Sequence, residues 1–288
     1  WRSKDCLGFT PSETAILPQH LLSQLNQKIE DKDAIVSTDV GQHQMWSAQY
    51  LKFDKPNRWL TSGGAGTMGY GMPSAIGAQI GNPDSTVVCV TGDASILMNI
   101  QEMATAIQHR TPIKVILCNN QYMGMVRQWQ ELIHEGRYSH SYNESMPDFV
   151  SLAKSFGWQA ATVEDPKQLD TALDECLNSE GPYFLDVRVQ NQENCFPMMP
   201  AGYGHQQVML SEDTWYVDDW LNSLSGSKNG ISLSRVCRFL RLGEGFDVNK
   251  EGEYKKDYGF FVEFYEQFCI DELPQEKRCL EKKNHYTR

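Results

Sequence analysis

The chain has 288 residues, 40% of them hydrophobic and 22% charged. That is enough to bury one large core or two small ones, and too apolar for disorder throughout. Its 26 Lys and Arg against 37 Asp and Glu leave a net charge of −11, the wrong sign for a protein that neutralises nucleic-acid phosphates; with no apolar run near the roughly 18–20 residues that cross a bilayer, neither nucleic acid nor membrane is an expected partner.

The first residue is Trp1, with no basic-then-apolar leader behind it, so the chain is expected to be processed or a fragment. Its compartment is not readable on that evidence: cytoplasm for a bacterial protein, plastid or mitochondrion for a eukaryotic one. A helix-like stretch runs from Gln19 to Glu30, followed by a short apolar strand, Ala34–Thr38. Next comes a glycine-rich segment, Gly63 to Gly71, entering Pro73–Ala78, where proline suits a first helical turn and small residues allow close packing. Thr86–Thr91 and Ile113–Cys118 are nearly continuous β-branched runs, the pattern of central parallel strands covered on both faces. Between them Met98, Met103 and Ile107 recur at helical spacing, with Gln101, Glu102 and Gln108 on the other side. Phe149–Phe156 reads as a further helix and Tyr183–Val189 as a further strand.

This alternation predicts an α/β fold, a mostly parallel sheet with helices on both faces, over residues 1–213. The eight cysteines are scattered without a Cys-x-x-Cys pair, and Cys89 and Cys118 fall inside the apolar runs. Buried free thiols, a reducing compartment and no zinc site are expected. Residues 214–288 differ: 25 of these 75 are charged, Ser223–Ser232 reads as a linker, and the aromatic group Phe260, Phe261, Phe264, Tyr265 and Phe268 carries no recognisable chemistry.

The chemical signal is positional. Strand 86–91 ends in Gly92-Asp93, and strand 113–118 ends in Asn119-Asn120. In a parallel sheet both strands finish on the edge where open α/β folds bind ligands. That brings together Asp93 and Asn120, 27 residues apart, one carboxylate and one amide oxygen. Both are hard donors suited to Mg²⁺, which keeps its remaining positions for water and phosphate oxygens. Gly92 allows the sharp turn, and the amides of Ala94 and Ser95 open a helix N-terminus that can receive an anion. A metal-chelated diphosphate is the expected ligand. Taken singly, Asp93 would be a helix cap and Asn119-Asn120 a turn. The rival is a dinucleotide fingerprint, because Gly64, Gly66 and Gly69 spell G-x-G-x-x-G and Asp93 ends the next strand. Against it, Arg58–Ser62 is a poor buried strand, and Asn119-Asn120 and Gly41–His43 would have no role.

Residues 10–213 resemble the C-terminal, cofactor-binding domain of thiamine-diphosphate enzymes. More closely, they are similar to the catalytic (large) subunit of acetohydroxyacid synthase, or acetolactate synthase. The general motif is Gly92-Asp93-Ala94 with Asn119-Asn120, and the denser matches are Thr38–Trp46, Thr61–Gly71, Gly124–Gln130 and Arg137–His140. The resemblance implies that Asp93 and Asn120, with the Tyr122 main-chain oxygen, hold Mg²⁺ against the diphosphate of thiamine diphosphate. It places Gln42 and His43 at the diphosphate end, Gly66 against the aminopyrimidine, Met68 beneath the folded cofactor and Met125 near the pyrimidine, with Val40, Gly41 and Gly124 also among the cofactor-binding residues. Gly92, Ala94 and Ser95 complete the cofactor set, and Trp129 matches a residue lining the substrate channel.

The implied reaction decarboxylates pyruvate and joins the two-carbon unit to pyruvate or 2-ketobutyrate, toward isoleucine and valine. The family glutamate that drives the chemistry and the FAD domain match nothing in this sequence, so no catalytic residue is expected on this chain, and the chain alone should not turn over. Homodimers or tetramers of catalytic subunits and pairing with a small regulatory subunit are also implied. An oxidase, decarboxylase or glyoxylate carboligase would share the metal motif, as would a non-catalytic cofactor-binding module.

Overall fold

The two β-branched runs form the middle of a six-stranded, wholly parallel sheet. Its strands are β1 (Ala34–Thr38), β2 (Trp59–Thr61), β3 (Thr86–Gly92), β4 (Lys114–Asn119), β5 (Gln159–Val163) and β6 (Tyr183–Arg188), in the order β2-β1-β3-β4-β6-β5. The computed structural model describes residues 6–200 and 207–217. They divide into one unit ending at Phe196 and a second beginning at Pro197. The proposed linker, the aromatic group and the rest of 218–288 lie outside the described residues.

Side chains alternate across the central strands, as a period of two requires. Val36, Val88, Val90, Ile116 and Cys118 face one layer, packed with Leu21, Leu22 and Leu25 of α1 (Pro18–Ile29), Trp46 of α2 (Gln42–Tyr50), and Leu169 and Leu173 of α8 (Leu169–Asn178). Ile35, Val87, Cys89, Val115 and Leu117 face the other, against Met72 and Ile76 of α3 (Gly71–Gly81), Met103 of α5 (Glu102–Gln108) and Phe149 of α7 (Phe149–Ser155). Helices therefore cover both faces, as expected. Local signals set their ends: α1 starts on Pro18, whose missing N–H has no partner to lose there. The Asp148 carboxylate accepts the Ser151 N–H at 2.9 Å to cap α7. Cys89 and Cys118 are buried free thiols, as their runs imply.

One reading needs correction. Met98, Met103 and Ile107 do not share one helix face. The segment after β3 is broken into α4 (Asp93–Ile96), a 3-10 turn (Leu97–Asn99) and α5, so Met103 is buried whereas Met98 is 52% exposed. The stretch before the glycines does form a strand, β2, short and half-buried because it lies at the sheet edge. It pairs with β1, and β1 separates it from β3. Asp93 consequently does not end the strand beside the glycine loop, as the dinucleotide fingerprint requires.

At the amino-end rim of the sheet, Lys114 is only 4% exposed, and its ammonium donates to the Ser179 carbonyl at 2.6 Å, the Ser179 hydroxyl at 2.7 Å and the Gly181 carbonyl at 2.7 Å. In the second unit β7 (Gln207–Met209) pairs antiparallel with β8 (Trp215–Val217), and Met198 bridges Met209. No helix among the described residues is long and apolar enough to cross a membrane.

Candidate functional site

From β1 the chain passes to β2 on one side, then to β3 on the other. Such a reversal opens a crevice at the carboxyl ends of the two diverging strands. The loop after β1 and the start of α4 after β3 flank it, and the β3–β4 register, Gly92 opposite Cys118, brings the residues after β4 to the same rim. A cleft of about 460 Å³ occupies this position. Asp93 and Asn120 both line it. So do Val40, Gly41, Gln42, His43, Gly66, Met68, Gly92, Ala94, Ser95, Tyr122, Gly124, Met125 and Trp129, so every residue the resemblance assigns a role reaches one cavity, whereas Asn119 donates to Asp186 away from it.

Asp93 is 1% exposed. Its Oδ1 accepts the Ala94 N–H at 2.7 Å, while Oδ2 is buried without a hydrogen-bond partner. Burial, with a smaller contribution from the negative charge of Asp186, pushes the carboxyl up to about 7 against the Ala94 and Gln121 amides. One expectation changes here: the Ala94 amide is already engaged by Asp93 itself, so it is not a free anion donor. Asn120 is 7% exposed; its Oδ1 accepts the Tyr122 N–H at 3.1 Å and its Nδ2 donates to Gln42 Oε1 at 3.4 Å. Gln121, between them, adopts φ +59°, which turns the chain sharply after β4.

His43 is packed between two glycines. A Cβ on Gly41 would stand 2.8 Å from the imidazole Cε1, and one on Gly92 would stand 2.8 Å from Nδ1. Burial lowers the ring to about 3, the Asp39 carbonyl opposing, so His43 is neutral at physiological pH, and its Nε2 has no partner. Ser95 Oγ donates to the Val40 carbonyl at 2.9 Å, tying the two loops together.

Asp39 was not singled out by its sequence, yet it shapes the opposite wall. Its carboxylate accepts the N–H groups of Val40 (3.0 Å), Gly69 (2.7 Å) and Gly71 (3.3 Å), holding the glycine-rich loop against the end of β1. Gly69 sits at φ +89°, and a Cβ there would stand 2.7 Å from Asn99 Nδ2. The loop carries Gly66 (φ +63°) and Met68 to the cleft. Met125 and Trp129 come from α6 (Gly124–Leu132). Gln44, Met45, Trp46, Cys118, Met123 and Val126 also line the cleft. The apolar ones carried no separable signal, because apolar residues beside helices and strands look like core in any sequence, and Gln44 reads as an ordinary helix-face amide.

Among the described residues no group of three or more His, Cys, Asp or Glu could hold a metal. The donors that do converge are one carboxylate and one amide oxygen. Such a pair fits a hard cation that completes its shell with main-chain, water and phosphate oxygens, and the buried, unpartnered Asp93 Oδ2 is a donor of the right kind.

Residues 39–187 match the family described as thiamine pyrophosphate enzyme, C-terminal TPP binding domain. The chain is 45% identical over 215 residues to acetolactate synthase isozyme 3 large subunit of Escherichia coli K12, covering 74% of this chain and 37% of that protein. It is 48% identical over 210 residues to the acetolactate synthase large subunit of Parasynechococcus marenigrum WH8102, covering 73% and 34%. The chain thus spans about a third of the length of these relatives. Among solved structures, a thiamine diphosphate-dependent 4-hydroxybenzoylformate decarboxylase from Rhodococcus jostii RHA1 shares the fold, with TM-score 0.59, 22% identity, and 65% of this chain and 35% of that chain covered.

Proposed function

We propose, for a chain that belongs to the thiamine pyrophosphate enzymes through their C-terminal TPP binding domain, that it is the diphosphate- and metal-holding part of an acetolactate synthase large subunit. The observation that carries this reading is the buried Asp93 oxygen without a partner, in a crevice shared with Asn120. A divalent cation there would meet the bare oxygen, and its charge would return Asp93 to the ionised form. Asn120 Oδ1 and the Tyr122 main-chain oxygen are the further ligands we assign. Neutral His43 would face the diphosphate, and so would the main chain of Gln42, whose side-chain amide is engaged by Gln128, Glu193 and Asn120. Gly66, Met68 and Met125 would position the rings, with Trp129 lining the approach of substrate. When bound, thiamine diphosphate supplies the electron sink for decarboxylating a 2-keto acid. The chain's own residues fix the cofactor's diphosphate end and screen it from water.

We assign pyruvate and 2-ketobutyrate as substrates of the assembled enzyme, with assembly into dimers or tetramers, a small regulatory subunit and FAD belonging to the parts of the relatives this chain does not match. The same holds for the proton transfer at the aminopyrimidine, so we expect no acetolactate from this chain alone. Residues 1–213 are the cofactor domain in this reading. Calorimetric titration with thiamine diphosphate and Mg²⁺ tests it: wild-type chain should bind, and Asp93→Ala should not. Binding of NADH in place of thiamine diphosphate would overturn it.

A further inference from the structure

Behind the rim, three amide side chains form a single file that ends on Asn120. Gln128, on α6, is fully buried and is not among the residues lining the cleft. Its Oε1 accepts the Cys195 N–H at 2.8 Å and its Nε2 donates to the Cys195 carbonyl at 3.1 Å. A backbone N–H can only donate and a carbonyl can only accept, so this pairing fixes which end of the Gln128 amide is oxygen. That oxygen also accepts Gln42 Nε2 at 2.7 Å, and the same Nε2 donates to the Glu193 carbonyl at 2.9 Å. Gln42 must then turn Oε1 the other way, where it accepts Asn120 Nδ2. Asn120 thus has its nitrogen on Gln42 and its Oδ1 on the Tyr122 N–H, and the second lone pair of that oxygen is what it can offer a cation.

We infer that Gln128 is a positioning residue, which transmits the polarity of the Cys195 peptide through Gln42 and so presents the oxygen of Asn120, rather than its nitrogen, to the metal. An amide has two ends of nearly equal size, and a flipped Asn would aim a donor at a cation. Three linked amides anchored on the backbone at Glu193 and Cys195 act with the Tyr122 N–H on Asn120 Oδ1 to remove that ambiguity before the metal arrives. Gly124 is shaped around the same contact. A Cβ there would collide with Gln42 Oε1 and stand 2.9 Å from Asn120 Nδ2. The inference rests on the assignment of Asn120 as a metal ligand.

The test titrates Mg²⁺ into the full chain at saturating thiamine diphosphate, following quenching of Trp46 and Trp129, which line the cleft. Four proteins are compared: wild type, Gln128→Met, Asn120→Asp and the double variant. Wild type reaching saturation, with Asp93→Ala failing to, secures the underlying reading. Gln128→Met should then raise the Mg²⁺ concentration at half-saturation about ten-fold. In the Asn120→Asp background the same change should cost less than about two-fold, because a carboxylate has two equivalent oxygens and no direction to set. An equal cost in both backgrounds would reduce Gln128 to a packing residue and overturn the inference, as would no cost in either. If Gln128→Met fails to fold, Gly124→Ala presses on the same contact from the other side. It should show the same background dependence, and its absence counts against the inference equally.

Discussion

Two buried charges at opposite rims of one sheet are treated in opposite ways. Lys114, at the start of β4, is surrounded by three oxygens within 2.7 Å. Burial still draws its ammonium down to about 8, with Lys32 pushing the same way and Cys176 opposing. Asp93, just beyond β3, is as deeply buried but keeps one oxygen with no partner. Desolvating a charge without compensation is costly, so a fold that needed only stability would have satisfied both. Asp39 makes the point at the same rim as Asp93: its two oxygens collect three backbone N–H groups and the Thr91 hydroxyl. The completed charges are tied into the backbone, and in the proposed function the incomplete one is the group that meets a ligand.

The sharpest way to break this contrast is Asp93→Asn. Cofactor affinity in the presence of Mg²⁺ should fall at least about 100-fold, through loss of the anionic ligand. Stability without ligands should move the other way. The folded carboxyl is raised from its usual 3.8 to about 7, so between those pH values the folded state holds a proton that the unfolded chain has lost. Wild-type stability therefore falls as pH rises from about 4 to 7 and stays low above. Asp93→Asn should lack that fall, which denaturant melts at pH 5 and 8 will read. Saturating Mg²⁺ and thiamine diphosphate should restore the wild type at pH 8 but leave the variant unmoved.

Next in size, Lys114→Met should cost about 2–3 kcal/mol of unfolding free energy by stranding three part-buried acceptors. Thiamine diphosphate affinity should not change, the reverse of the Asp93 result. Asp39→Asn should do some of each. Exchanging an acceptor for a donor opposite the Gly69 and Gly71 amides should cost about 1–2 kcal/mol and weaken binding several-fold, because the loop bearing Gly66 and Met68 loosens. The smallest effect belongs to Asp33, which pairs with Lys55 and Arg58 at the surface. Asp33→Asn should leave both melting midpoint and affinity within experimental error, since solvent already screens those ions.

The same contrast explains what the sequence could reveal. β3 and β4 were legible because strands buried on both faces must be nearly all apolar, and their ends deliver Asp93 and Asn120 to one edge whatever lies between. Edge strands β2 and β5 were not, since Trp59–Thr61 and Gln159–Val163 are half-exposed and carry mixed residues. The α4–α5 break was hidden by an apolar spacing that an unbroken helix would also produce. Asp39 and Gln128 were beyond reach for a different reason. Each acts through partners about 30 to 70 residues away, namely Gly69 and Gly71 for the first and Cys195 for the second. Only the assembled sheet shows those partners.

A crystal structure of the chain grown with thiamine diphosphate and Mn²⁺, with anomalous data at the manganese edge, asks the central question directly. We expect one strong peak bonded to Asp93 Oδ2 and Asn120 Oδ1, with diphosphate oxygens filling the far side. A metal bound elsewhere on the chain, or a diphosphate seated without any metal beside Asp93, would contradict it.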